Sequence, residues 1–139
     1  MATLRAVYET ILYARDLQAA GRFYAEVLGL RAIRENAELL DAFRLPDGGV
    51  LLLFNPDESR KPARAVPSHG PGDHPGPVGS GHVAFRMESG AYGAWLETLQ
   101  RHGVGIEQEV TWDSGARSIY VRDPAGNSVE LVEGEIWPS

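Results

Sequence analysis

The chain has 139 residues, with 13 Lys or Arg against 19 Asp or Glu and a formal charge of −6. That length suits one domain able to bury a sizeable core, and 43% hydrophobic with 23% charged residues excludes a disordered or fibrous chain. The acidic balance speaks against nucleic acid, whose phosphates need a positive face. The absence of cysteine rules out disulfides, thiolate zinc sites and cysteine nucleophiles. No apolar run exceeds Val50 to Phe54 and no secretory hydrophobic region opens the chain, so no membrane contact and a cytoplasmic location are expected.

Along the chain, Val7, Glu9, Ile11 and Tyr13 alternate as one face of a first strand. Asp16 has the chemistry of a helix N-cap, and Leu17, Ala20, Tyr24, Val27 and Leu28 recur at helical spacing until Gly29 offers a stop. Strands are predicted at about 30–35, 38–45 and 50–54, the last two joined by the turn Pro46-Asp47-Gly48-Gly49. Residues 55–80 are rich in proline and glycine and read as a linker or lid; His69 and His74 within it read as solvated loop residues.

A second cycle begins near residue 81. His82 to Met87 alternates as a strand, Ser89 is a candidate N-cap, and Tyr92, Trp95, Leu96 and Leu99 mark a helix ending near Gly103. Strands are predicted around 105–111, 116–122 and 128–132, the last pair joined by Asp123-Pro124-Ala125-Gly126-Asn127. The prediction is therefore one α+β domain made of two βαβββ modules, 1–54 and 81–139, around the 55–80 segment. Aligning the repeats sets Glu9 beside His82 and Leu52 beside Glu130.

Polar residues inside apolar strands carry the chemistry. Glu9 and Glu130 are carboxylates in otherwise hydrophobic stretches, costly to bury unless something positive meets them. His82, with Ala84 and Arg86, faces away from Val83, Phe85 and Met87. Two carboxylates and an imidazole suit a divalent cation such as Mn, Fe, Ni, Co or Zn; the same groups also suit a metal-free acid–base cluster. Ser118 and Tyr120 share a face of their strand, and Trp112, Arg86 and Tyr13 are candidates for a pocket wall.

Leu12-Tyr13-Ala14-Arg15-Asp16-Leu17, Phe23-Tyr24-Ala25-Glu26-Val27-Leu28-Gly29-Leu30, Gly81-His82-Val83-Ala84-Phe85 and Asp123 to Leu131 together resemble the vicinal oxygen chelate superfamily. Its members include glyoxalase I, fosfomycin resistance proteins, extradiol dioxygenases, methylmalonyl-CoA epimerase and bleomycin resistance proteins. The resemblance implies a cup-shaped mixed sheet with metal ligands on the first and last strand of each module, here Glu9, His82, Leu52 and Glu130. Leu52 cannot bind a metal, so a three-ligand site of Glu9, His82 and Glu130 is implied. Glu9 stands where fosfomycin resistance enzymes and extradiol dioxygenases carry histidine, and fosfomycin-type enzymes similarly offer a Ser and a Tyr at the places of Ser118 and Tyr120.

The expected function is a metal-dependent enzyme that chelates two neighbouring oxygens of a small substrate on one divalent ion, with Glu130 and Tyr120 as catalytic groups and Tyr120, Ser118, Trp112 and Arg86 against the substrate. Lyase, isomerase, transferase and ring-cleavage chemistry all remain open. The alternative is a metal-free small-molecule binding protein resembling bleomycin resistance proteins. A homodimer is expected, because a βαβββ unit leaves a sheet face that wants a partner.

Overall fold

The structure is a computed structural model that describes residues 1–36, 38–59, 61 and 80–138. The chain divides into two compact units, Met1–Gly79 and Ser80–Ser139. Each has the same connectivity.

In the first unit, β1 (Glu9–Tyr13) leads to α1 (Leu17–Arg22), followed by β2 (Arg31–Asn36), β3 (Leu40–Arg44) and β4 (Val50–Phe54). The sheet order is β1-β4-β3-β2, with β1 parallel to β4 and the other pairs antiparallel. Asp16 caps α1 as expected, its Oδ1 accepting the Ala19 N–H at 3.0 Å. The helix predicted to run unbroken to Leu28 instead widens into a π-helical stretch over Phe23–Val27. There the Leu28 N–H bonds back five residues to the Phe23 carbonyl at 3.1 Å. Consecutive Phe23 and Tyr24 are both buried, their rings packed edge to face. Gly29, at φ +72°, lets Leu30 N–H close on the Tyr24 carbonyl and ends the helix.

β4 is buried along its whole length because both its faces are covered. Leu51 and Leu53 share a face with Phe43 and Asp41, over which Gly21 of α1 passes closely. On the opposite face Val50, Leu52, Phe54 and Ala42 form one apolar cluster with Ile11, Tyr13 and Leu40. The segment expected to lack regular structure contains one helical turn, α2 (Pro56–Ser59). There Asn55 Oδ1 accepts the Asp57 N–H, the local side-chain bonding that asparagine favours at a helix start. His69 and His74 lie outside the described residues.

The second unit repeats the plan with β5 (His82–Arg86), α3 (Tyr92–Arg101), β6 (Gln108–Thr111), β7 (Arg117–Arg122) and β8 (Ser128–Glu133), in the order β5-β8-β7-β6. Ser89 does not cap α3. The cap position falls on Ala91, which makes no side-chain cap bond. Glu133 of β8 instead takes the Gly90 N–H at 2.7 Å, just before the helix starts. A carboxylate from a neighbouring strand thus supplies what a local hydroxyl was expected to give.

Strand register puts the repeat alignment on a physical footing. Val50 N–H bonds to the Tyr8 carbonyl and Ser128 N–H to the Gly81 carbonyl, both at 2.9 Å. Glu9 then pairs with Val50 as His82 pairs with Ser128, and Ile11 with Leu52 as Ala84 with Glu130. Glu9 and His82 occupy the same place in their units, as do Leu52 and Glu130.

Candidate functional site

The candidate site is built on one face of the second sheet. Ala84, Glu130, Tyr120 and Gln108 form one cross-strand row, flanked by the row of His82, Ser128 and Arg122 and by the row of Arg86, Val132, Ser118 and Val110. Period-two alternation sends these side chains to one side. It sends Ile119, Val121, Val129 and Leu131 to the other, where they are buried. The face carrying Ser118 and Tyr120, left open by alternation alone, is therefore the one that bears the polar groups.

The Asp123–Asn127 turn sets the end of this face. Asp123 Oδ1 accepts the N–H groups of Ala125 and Asn127 at 2.9 Å each, and Asn127, almost fully buried, accepts the Gly81 N–H on its Oδ1 at 2.7 Å. The turn thereby holds the backbone one residue ahead of His82. In the first repeat Gly49 stands at the place of Asn127 and has no side chain to do this.

Glu130 is the centre. Only 5% exposed, its carboxylate accepts from Ser118 Oγ on Oε2 at 2.6 Å, and its Oε1 lies 3.3 Å from His82 Nε2. Ser118, fully buried, in turn accepts from the Trp112 indole N–H at 2.9 Å. The other imidazole nitrogen, Nδ1, is 3.0 Å from Ser128 Oγ. The His82 and Tyr120 rings are stacked, centroids 6.3 Å apart. Burial pushes the Tyr120 phenol pKa up, and its hydrogen bond to the Glu130 carboxylate adds to that shift. The phenol is thus held as a proton donor.

A cavity of about 410 Å³ opens beside these groups, lined among others by His82, Arg86, Trp112, Tyr120, Glu130 and Trp137. Arg86 is tied at its rim to Glu135 by a 2.9 Å ion pair. Of the residues predicted for the site, the structure brings together His82, Glu130, Tyr120, Ser118, Trp112 and Arg86. Glu9 belongs to the first unit. Strand alternation places Ser128 on the Glu130 face, but it does not foretell the contact with His82, nor the lining by Gly134, Glu135 and Ile136 beside Trp137, a stretch with no periodic signal.

The donor set fits a divalent metal in part. Ligand atoms each about 2.0–2.2 Å from one ion stand roughly 3.0–3.4 Å apart, and the His82–Glu130 separation of 3.3 Å falls in that range. Among the described residues, no group of three His, Asp or Glu side chains is gathered so as to hold a metal ion. Nor, among them, is any helix long and apolar enough to cross a membrane.

Comparison with known proteins bears on the family. Residues 6–131 match the model of the glyoxalase/bleomycin resistance protein/dioxygenase superfamily. The crystal structure of a lactoylglutathione lyase from Agrobacterium tumefaciens superposes with a TM-score of 0.86 at 36% identity, covering 99% of this chain and 100% of that one. Biphenyl-2,3-diol 1,2-dioxygenase 3 of Rhodococcus globerulus is 31% identical over 123 residues, 87% of this chain and 59% of the relative. MhqE of Bacillus subtilis is 29% identical over 109 residues, 74% of this chain and 33% of the relative. The chain thus spans about three-fifths and one-third of the length of these two curated relatives. A shared βαβββ repeat, a family model covering most of the sequence and a full-length structural match at this identity place the chain in the glyoxalase/bleomycin resistance protein/dioxygenase superfamily.

Proposed function

We propose that this chain is a metal-dependent enzyme that binds two neighbouring oxygens of a small substrate on one divalent ion, performing lyase or ring-cleavage chemistry of the kind its relatives are named for. The observation that carries the reading is the His82–Glu130 pair, an imidazole nitrogen and a buried carboxylate oxygen 3.3 Å apart at the wall of a cavity. His82 and Glu130 would hold the ion. When bound, such an ion acts as a Lewis acid that offsets negative charge developing on substrate oxygen. Tyr120, kept protonated, donates a hydrogen bond toward the same region, and Trp112 and Trp137 give the cavity apolar walls. Ser118 fixes the carboxylate so that its other oxygen faces the imidazole.

A second reading has its own support. Both Glu130 oxygens already have partners from the protein, and Leu52, at the place of a fourth ligand, sits in an apolar cluster. Those features suit a metal-free binding protein.

Elemental measurement on untagged protein, with melting followed on adding Mn, Fe, Ni, Co or Zn, separates the two. The enzyme reading expects about one ion per chain, a raised melting temperature, and loss of both in Glu130→Gln. Absence of uptake for every metal would sink it in favour of the metal-free reading.

A further inference from the structure

Three arginines share one face of the first sheet, and a β-bulge is what brings them together. Residues three apart on a regular strand point to opposite faces, so Arg31 and Arg34 should diverge. Instead Arg31 lies opposite Arg44 and Arg34 opposite Ala42, with the register shift between Ala32 and Arg34 absorbing Ile33. Arg44 and Ala42 pair in turn with Val50 and Leu52. All three guanidinium groups thus rise from the sheet face that carries Leu52, away from α1. Bulges of this kind re-aim a side chain and often lie beside working sites.

The second repeat is an internal comparison. Arg122, opposite Ser128, stands where Arg44 stands opposite Val50. Glu107 grips Arg122 with both carboxylate oxygens, at 2.6 and 3.0 Å. In the first repeat the neighbouring strand offers Arg44 a second arginine instead. Like charges directly across a sheet are destabilising, and the fold does not require this one, since in the other repeat a carboxylate side chain meets the equivalent arginine. Arg44 donates to the Gly48 carbonyl at 2.9 Å. Among the described residues, none of the three arginines has an ion pair with a carboxylate, and Arg31 and Arg34 are exposed. In a chain of net charge −6, such a concentration of positive charge calls for an anion from outside.

We propose that Arg31, Arg34 and Arg44 form a binding site for the oxyanion group, carboxylate or phosphoryl, of a small-molecule ligand. Planar guanidinium forks match either group with paired hydrogen bonds. The proposal goes beyond the metal reading and does not depend on it.

The test titrates the full chain with inorganic phosphate and with succinate while following arginine side-chain N–H resonances. Saturable shifts confined to Arg31, Arg34 and Arg44, weakened by added salt, are expected for at least one of the two; which one saturates assigns the ligand as phosphoryl or carboxylate. Arg34→Gln should weaken binding about tenfold, the loss of one charge-assisted pair. Arg31→Glu, which sets a carboxylate opposite Arg44 in place of a like charge, should abolish binding while the melting temperature holds or rises. No saturable shift with either anion, or unchanged affinity in both variants, would overturn the proposal. Metal uptake in the same samples reports separately on His82 and Glu130, which neither variant touches.

Discussion

The Trp112 indole N–H donates to Ser118 Oγ at 2.9 Å, and this fixes the direction of everything beyond it. An indole nitrogen only donates, so the serine oxygen must accept and its single proton goes to Glu130 Oε2, 2.6 Å away. The carboxylate is thereby held as an acceptor.

Trp112→Phe keeps the ring and removes the donor, and about 0.5–1.5 kcal/mol of stability should be lost with one hydrogen bond. Ser118→Ala strips a partner from a buried carboxylate and from the indole together, and should cost more, about 1–3 kcal/mol. Urea unfolding of the two variants gives the order directly. A serine variant as stable as the tryptophan variant, or more so, would mean that the chain does not hold Glu130.

Much of this arrangement is legible in the sequence because it follows from alternation and repetition. Glu9 lies seven residues before Asp16 and His82 seven before Ser89, which sets the two against each other, and matched turns set Leu52 against Glu130; register pairs show the same correspondence. What is not legible depends on contacts between distant strands. Ser89 has the right chemistry for a cap, yet Glu133, more than forty residues on in the chain, reaches the start of the helix. The π-helical widening at Phe23 goes with the burial of two consecutive aromatic rings, which helical periodicity does not encode. The bulge at Ile33 likewise leaves no turn residue to announce it, so the alternation of Arg31 and Arg34 misreads their faces.

Tyr120 should titrate above the ordinary tyrosine range, burial being the larger cause and the Glu130 carboxylate the next. Replacing Glu130 with Gln removes the charge and leaves the burial, so the phenol should move only part of the way back. Ultraviolet absorbance of the tyrosinate during an alkaline titration reads this. A Tyr120 titration unmoved in Glu130→Gln would show that the two groups do not interact.

Two helical glycines should answer the same substitution with opposite signs. A Cβ at Gly21 in α1 would lie 2.5 Å from Oδ2 of Asp41, a residue that is 8% exposed. Gly21→Ala should cost about 1–3 kcal/mol through overpacking. Gly93 in α3 has nothing within 4 Å of the same position, so Gly93→Ala should gain about 0.5–1 kcal/mol from helix propensity. Thermal melts of both variants decide it, and a stabilised Gly21→Ala would show that α1 sits less tightly on the Asp41 face.

Tyr92 gives the second unit a defined alkaline limit. Its phenol is pushed up to about 12 from 10.0, by burial first and then by donating to Glu109 Oε1 at 2.8 Å; the Arg117 guanidinium, 4.0 Å over its ring, opposes the shift without cancelling it. A group whose folded pKa lies above its unfolded value binds its proton more tightly when folded. The stability it contributes is complete below pH 10 and is lost as the pH rises from 10 through about 12, because the unfolded phenol ionises first. The melting temperature should therefore fall across that window. Tyr92→Phe has no proton to lose, so its melting temperature should start lower, for want of the bond to Glu109, and decline less steeply. Parallel melting curves for the two proteins between pH 9 and 12 would assign the alkaline transition to other groups.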